Sequence, residues 1–294
     1  MSEKILVTGA TGNVGSEVVR SLLAMGQPVV AAALDEVDAK KVPGENTETV
    51  FFGFGQAETY AAAFEGVGKL FLMRPPQISD VQQYLFPVMD YAKTAGVQQI
   101  VFLSLLGVEK QRFVPHYKVE KHLETCGVPY TFLRPSFYMQ NLNTTHRQEI
   151  REGAEIVVPV GKAKTSFIDV RDIGAVAARV LSEPGHENQA YGLTGTQALD
   201  YYEVAERFTE VLGRPIAYRN PSIPRFIRLQ HRQGVPLPFI LVMVGLYTAT
   251  RFGAGKQVTE EVERLLGRPP IAMRQYIEDY ADAWLPGTQG KVKD

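Results

Sequence analysis

Cysteine, tryptophan and net charge are nearly absent from this chain of 294 residues, which carries one Cys, one Trp and a formal charge of −1. The lone cysteine, Cys126, excludes an internal disulfide framework and a cysteine-rich metal site, and fits a reducing compartment, here the cytoplasm. Lys and Arg (31) nearly cancel Asp and Glu (32), so the whole-chain balance steers it neither to nucleic acid nor to an anionic membrane. The five histidines have no metal-ligand spacing, and no metal is expected. The motifs G-x-x-x-x-G-K-[ST], H-E-x-x-H and G-x-S-x-G are missing, as are internal repeats. No apolar run is long enough to span a bilayer. The longest, near residues 236–249, is about 14 residues, holds Pro236 and Pro238, and reads as a buried or interfacial helix. The start, Glu3-Lys4 followed by Ile5-Leu6-Val7, has no leader-like apolar region.

What remains is a chain with 45% apolar residues, enough for a sizeable core, and 26 glycines. Its length is slightly above the size at which one core stops growing, so one large domain or two unequal lobes are the options. Short apolar runs at 5–8, 29–34, 50–52, 69–73, 99–104 and 130–133 read as buried strands. Helical patterns fall between them at 14–25, 59–64, 81–95 and 119–126, several closed by glycine. This alternation predicts an α/β fold, a doubly wound, mostly parallel sheet with helices on both faces. After about residue 150 prolines multiply and the alternation loosens. Strands at 167–170 and 190–193 and helices at 201–212 and 259–266 are still legible. The expected division is a nucleotide-binding domain over 1–150, with segments near 165–195 returning to it, and a smaller, mostly helical substrate or partner lobe over 151–294.

Thr8-Gly9-Ala10-Thr11-Gly12-Asn13-Val14-Gly15 lies between the first strand and the first helix. The spacing is G-x-x-G-x-x-G. Gly9 permits a tight turn, Gly12 lets backbone amides approach a pyrophosphate, and Gly15 lets the helix pack closely on the sheet. The amides around Thr11, Asn13 and Val14 and the positive end of the helix dipole then face the phosphates. An acid about twenty residues past the last glycine selects a ribose with free hydroxyls. Asp35 occupies that place, and either bonds the ribose or simply opens a loop. Lys40 and Lys41 are the nearby cations available to a 2′-phosphate, so NAD and NADP stay open.

The turn resembles that of extended and atypical short-chain dehydrogenases. Further stretches narrow the resemblance: residues 97–104 (VQQIVFLS), 127–135 (GVPYTFLRP), 137–141 (FYMQN), 167–173 (FIDVRDI) and 265–270 (LLGRPP). With these, nearly the whole chain is similar to the NmrA-like family of NAD(P)-binding proteins. That resemblance implies a Rossmann-like fold and NAD(P)(H) as cofactor. It implies one of two roles: reduction of a small electron-poor acceptor such as a quinone or dye, or non-catalytic sensing of nicotinamide redox state through a protein partner. The family often has Arg at the end of the second strand to read a 2′-phosphate, where this chain has Leu34. Short-chain dehydrogenases use a Tyr-x-x-x-Lys pair. Counted back from Gly127, the Lys place is His116 and the Tyr place Arg112. Lys118 is two residues out of register.

His116 therefore either bonds the nicotinamide ribose or donates a proton, or else packs at the start of its helix. Ser104 ends the fifth strand on the crevice side, to bond ligand or its own turn. Tyr117 and Tyr138 are candidate pocket aromatics. Met73-Arg74-Pro75 follows the fourth strand and is expected along the adenine side, and Phe137 at the nicotinamide end. Arg225, Arg228, His231 and Arg232 form a basic run, a solvated helix face or a contact for an acidic partner. The expected state is a monomer or homodimer acting on a small molecule.

Overall fold

The structure, a computed structural model, describes residues 3–285. The first two and last nine residues, with the corresponding ends of the expected lobes, lie outside the described residues.

Runs of Val, Ile, Leu and Ala too short for helices and apolar on both sides form the central strands. They are β1 (Lys4–Val7), β2 (Val29–Ala33), β4 (Val67–Met73), β5 (Gln99–Leu103) and β6 (Tyr130–Pro135), while β3 (Glu48–Phe51), read from sequence as buried, is an edge strand with none of its residues buried. Downstream come β7 (Phe137–Tyr138), β8 (Glu155–Val157), β9 (Thr165–Ile168), β10 (Gln189–Leu193), β11 (Ala198–Leu199) and β12 (Ala217–Arg219). Seven strands make one sheet in the order β10-β6-β5-β4-β1-β2-β3. Every neighbouring pair in it is parallel, with β1 between β2 and β4. The strand order reverses beside β1, and ligands bind at such a switch point, outside the carboxyl ends of the strands. This is the expected α/β, Rossmann-like doubly wound sheet.

The chain divides into two compact units. The first contains the seven-stranded sheet and runs to Pro135, then takes back Val170–Leu193 and Glu261–Pro269. On one face of its sheet Leu6, Leu70, Ile100 and Phe102 pack with Met89 and Leu123 from the flanking helices and with Leu85. Helix Val170–Ser182 lies against helix Asn13–Ala24 so closely that a Cβ on Gly174 would stand 2.6 Å from the Glu17 carbonyl carbon. The 81–95 helix is two pieces, Val81–Tyr84 and Phe86–Thr94. Pro87 has no N–H to continue the ladder from the first piece, which accounts for the break.

The second unit begins at Ser136, fifteen residues before the start at 151 expected from composition. The reason is pairing across a long sequence gap. β7 runs parallel to β9, and β9 antiparallel to β11, in a three-stranded sheet. β8 and β12 form a separate parallel pair. Helices Arg147–Gly153, Tyr201–Leu212, Ile223–Arg232 and Leu237–Arg251 surround them. Asp200 caps the second of these helices, its carboxylate accepting from the Tyr202 and Glu203 amides while Glu203 accepts from the Asp200 amide, a reciprocal box. Phe208, Phe226, Ile240, Tyr247, Tyr276 and Trp284 belong to the apolar cluster of this unit.

Candidate functional site

The turn after β1 is held from two sides. The Thr8 hydroxyl donates to the Phe71 carbonyl at 3.0 Å and accepts from the Met73 amide at 2.8 Å, which ties the ends of β1 and β4 together. Gly9 has φ +64°, a left-handed conformation that glycine adopts without strain. A Cβ there would overlap the terminal methyl of Met73, so Met73 seals the floor of the turn. A Cβ on Gly15 would overlap the Gly9 carbonyl oxygen, which is why the helix starts so close to the strand.

Gly12 differs from both. Its φ of −83° and ψ of 170° suit any residue. A Cβ there would meet the Gly9 oxygen at 3.4 Å and the Met73 methyl at 3.7 Å, which is ordinary contact. Within the protein, then, nothing demands glycine at 12. Gly12 is also the N-cap of helix Asn13–Ala24 and supplies no side-chain cap. The first-turn amides of a helix have no intrahelical acceptor. Val14 and Gly15 are buried, while Asn13 is exposed beside them.

The residues after β2 form a small acidic corner. Asp35 caps the short helix Glu36–Ala39, its carboxylate accepting from the Asp38 amide at 2.8 Å. Asp38, which no motif singles out, accepts from the Thr11 hydroxyl at 2.8 Å and from the Leu34 amide at 3.1 Å. So the acid joined to the glycine turn is Asp38, three residues beyond the one marked by spacing. Leu34 projects into solvent at 75% exposure, and Lys40 and Lys41 are exposed.

Beyond β4, Arg74 is committed to its own loop. Its guanidinium donates to the carbonyls of Pro75 at 3.0 Å, Pro76 at 3.3 Å and Ile78 at 2.5 Å, so this side chain shapes the 75–78 loop. Its Nε also reaches His116 Nε2, at a long 3.5 Å. Burial lowers the Arg74 pKa without removing the charge.

His116 sits in the first turn of helix Pro115–Cys126, four residues earlier than the start legible in the apolar pattern. Its ring is buried and tilted toward Phe102. Burial first, and the Arg74 charge second, push its pKa down to about 3. The imidazole is therefore neutral near pH 7 in this structure, a state suited to hydrogen bonding. With Nε2 accepting from Arg74, the proton belongs on Nδ1. Nδ1 is buried with no hydrogen-bond partner among the described residues, and so is the Ser104 hydroxyl at the end of β5. Buried polar atoms are normally satisfied, so two orphans beyond the carboxyl end of β5 fit a ligand. Tyr117 is half-buried, with Lys121 over its ring at 5.6 Å.

The same helix is anchored by a pair that sequence patterns do not mark. Glu120 is buried and accepts from Arg134 Nε at 3.0 Å and Nη2 at 2.7 Å, a bidentate pair joining the helix to β6. Phe137 and Tyr138 belong to the second unit. Phe137 stacks on Tyr247 at 6.2 Å and meets Phe167 edge-on, and burial raises the Tyr138 pKa. Among the described residues there is no cluster of His, Cys, Asp or Glu that could hold a metal, and no helix is long and apolar enough to cross a membrane.

Comparison with known proteins gives a consistent picture. A model of the NmrA-like family matches residues 1–265. An NAD(P)H azoreductase of Xenophilus azovorans is 34% identical over 286 residues, covering 95% of this chain and 99% of the relative. Quinone oxidoreductase 2 of Escherichia coli K12 is 26% identical over 93% of this chain and 97% of its own. Among solved structures, the triphenylmethane reductase of a Citrobacter species, complexed with NADP(H), superposes with a TM-score of 0.85 at 26% identity, covering 94% of this chain and 99% of that one.

Proposed function

The chain belongs to the NmrA-like family, and from that premise we propose that it is an NAD(P)H-dependent reductase of small, electron-poor acceptors of the quinone or dye type. The observation that carries this reading is Gly12, whose lack of a side chain the fold does not require, at the N-terminus of a helix with no side-chain cap. Gly9 and Gly15 hold the turn, and the amides near Thr11, Asn13 and Val14 face the pyrophosphate. Met73 and Pro75 flank the adenine side. Ser104 and the Nδ1–H of His116 bond the sugar or carboxamide of the cofactor, which supplies a hydride when bound.

A neutral His116, and Arg112 exposed in the place of the usual tyrosine, weaken the provision of a protein acid for a ketone oxygen. A quinone takes its proton from water, which favours quinone-like over ketone-like acceptors. Asp38 and Asp35 beside Leu34 set a negative corner where a 2′-phosphate would come, which favours NADH. A redox sensor would bind cofactor without turnover. Oxidation of NADH and NADPH by the purified chain, followed by absorbance with benzoquinones, naphthoquinones and azo dyes, separates the two. Turnover with at least one acceptor is expected. Tight cofactor binding with no turnover across the panel would overturn the enzyme reading.

A further inference from the structure

The net charge of −1 conceals an uneven distribution. Between Glu210 and Glu260 there is no Asp or Glu, while Arg214, Arg219, Arg225, Arg228, Arg232, Arg251 and Lys256 all lie there. Arg214 is spent on the carbonyls of Ile150, Arg151 and Trp284, and Arg219 pairs with Glu155. The remaining five are exposed, and none forms an ion pair among the described residues.

The same segment holds the largest apolar exposure of the second unit. Helix Ile223–Arg232 is strongly two-sided. Phe226 and Gln230 face inward, while Arg225, Arg228 and Arg232, at i, i+3 and i+7, make one outward stripe. In helix Leu237–Arg251, Ile240, Met243, Tyr247 and Thr250 face inward. Its outer side carries Leu241 at 55%, Val242 at 57% and Leu246 at 49% exposure, followed by Phe252 at 86%. No charged residue interrupts that side before Arg251. Phe226 meets Tyr247 edge-on at 5.6 Å, and both lie in the same apolar cluster, so both helices turn their outer sides away from one core.

We propose that this outer face docks in the plane of an anionic lipid bilayer. Helix Ile223–Arg232 turns its apolar side to the core and contributes only its arginine stripe, while exposed Leu241, Val242, Leu246 and Phe252 supply the apolar part: these side chains enter the acyl boundary, and the arginines meet the headgroup phosphates. Charge decides between lipid and a second copy of the chain. In a two-fold pairing the same patch meets itself, and this segment offers cations but no carboxylate of its own; the neighbouring Glu149, Glu152 and Glu155 border only Arg225 of the five. Lipid headgroups supply the missing negative charge. The proposal does not depend on the reductase reading.

Co-sedimentation of the full chain with vesicles tests it. Strong binding to phosphatidylcholine mixed with phosphatidylserine, weak binding to phosphatidylcholine alone, and release by salt are expected. Each cation near such a surface strengthens binding about fivefold, so Arg228→Gln with Arg232→Gln should weaken it about 25-fold. Leu241→Glu with Leu246→Glu should abolish it with thermal stability unchanged, since both side chains are exposed. The wild-type salt titration reads the electrostatic part without any variant. Failure to bind anionic vesicles at low salt overturns the proposal. So does light scattering that shows a dimer which Leu246→Glu splits into monomers, because the face would then belong to a second copy.

Discussion

Replacing Gly12 and Gly15 separately by alanine divides cofactor seating from folding within one turn. At Gly12 the backbone already suits alanine, and the new Cβ makes only ordinary contacts at 3.4 and 3.7 Å. Loss of a tolerable N-cap costs on the order of 0.5–1 kcal/mol. Reduced freedom of the unfolded chain offsets about 0.4–1 kcal/mol. The melting temperature should therefore stay within a few degrees of wild type. A methyl group where the pyrophosphate must approach displaces one or two charge-assisted hydrogen bonds. At about 1.5–3 kcal/mol each, a loss near 3 kcal/mol weakens NADH and NADPH roughly a hundredfold. Gly15→Ala should do the reverse. Its Cβ overlaps the Gly9 carbonyl oxygen, backbone on backbone. Overpacking of this kind costs about 1–3 kcal/mol, so stability falls before affinity can be assessed. Calorimetric titration with each cofactor and thermal melts of both variants are the assay. Unchanged affinity in a normally stable Gly12→Ala protein would refute the phosphate seat.

His116 makes a pH signature. Its folded pKa is depressed from 6.5 to about 3, so the unfolded chain takes up a proton below about pH 6.5 that the folded chain refuses. Stability from this group is complete above that pH and falls by about 1.4 kcal/mol per unit toward pH 3. His116→Asn should flatten this part of the slope in denaturant melts; parallel slopes would show that the ring is not buried neutral. Glu120→Ala removes the bidentate partner of Arg134, which keeps 20% exposure of its side chain and a longer 3.5 Å contact to Glu109, so a loss of about 3 kcal/mol is expected, the low end for a broken buried pair. A change in melting temperature of less than about 2 °C would contradict that. Asp38→Asn can keep the Thr11 contact while removing the charge and the acceptor for the Leu34 amide, and should raise the NADPH-to-NADH affinity ratio. An unchanged ratio would take Asp38 out of cofactor selection.

The strands and the glycine turn are legible in sequence because their causes are local. Runs such as Ile5-Leu6-Val7 must be buried on both sides, and Gly9 and Gly15 satisfy steric demands within seven residues. Asp38 was illegible because Thr11, its partner, lies 27 residues away on another element. Spacing points to Asp35, and Asp35 is taken by a local cap. The boundary at Ser136 depends on β7 meeting β9, and two-residue strands leave no periodicity to read.

The parallel sheet and the glycine-rich turn followed from sequence alone, since backbone sterics and hydrophobic burial act there over a few neighbouring residues. Only the tertiary structure decided the state and company of the side chains around that turn. It buried His116 beside Arg74 and so made it neutral, folded Arg74 into its own loop, and left the outer side of helix Leu237–Arg251 apolar and uncovered. A pKa, a hydrogen-bond partner and an exposed face are each set by groups distant in the chain, and folding is what brings them together.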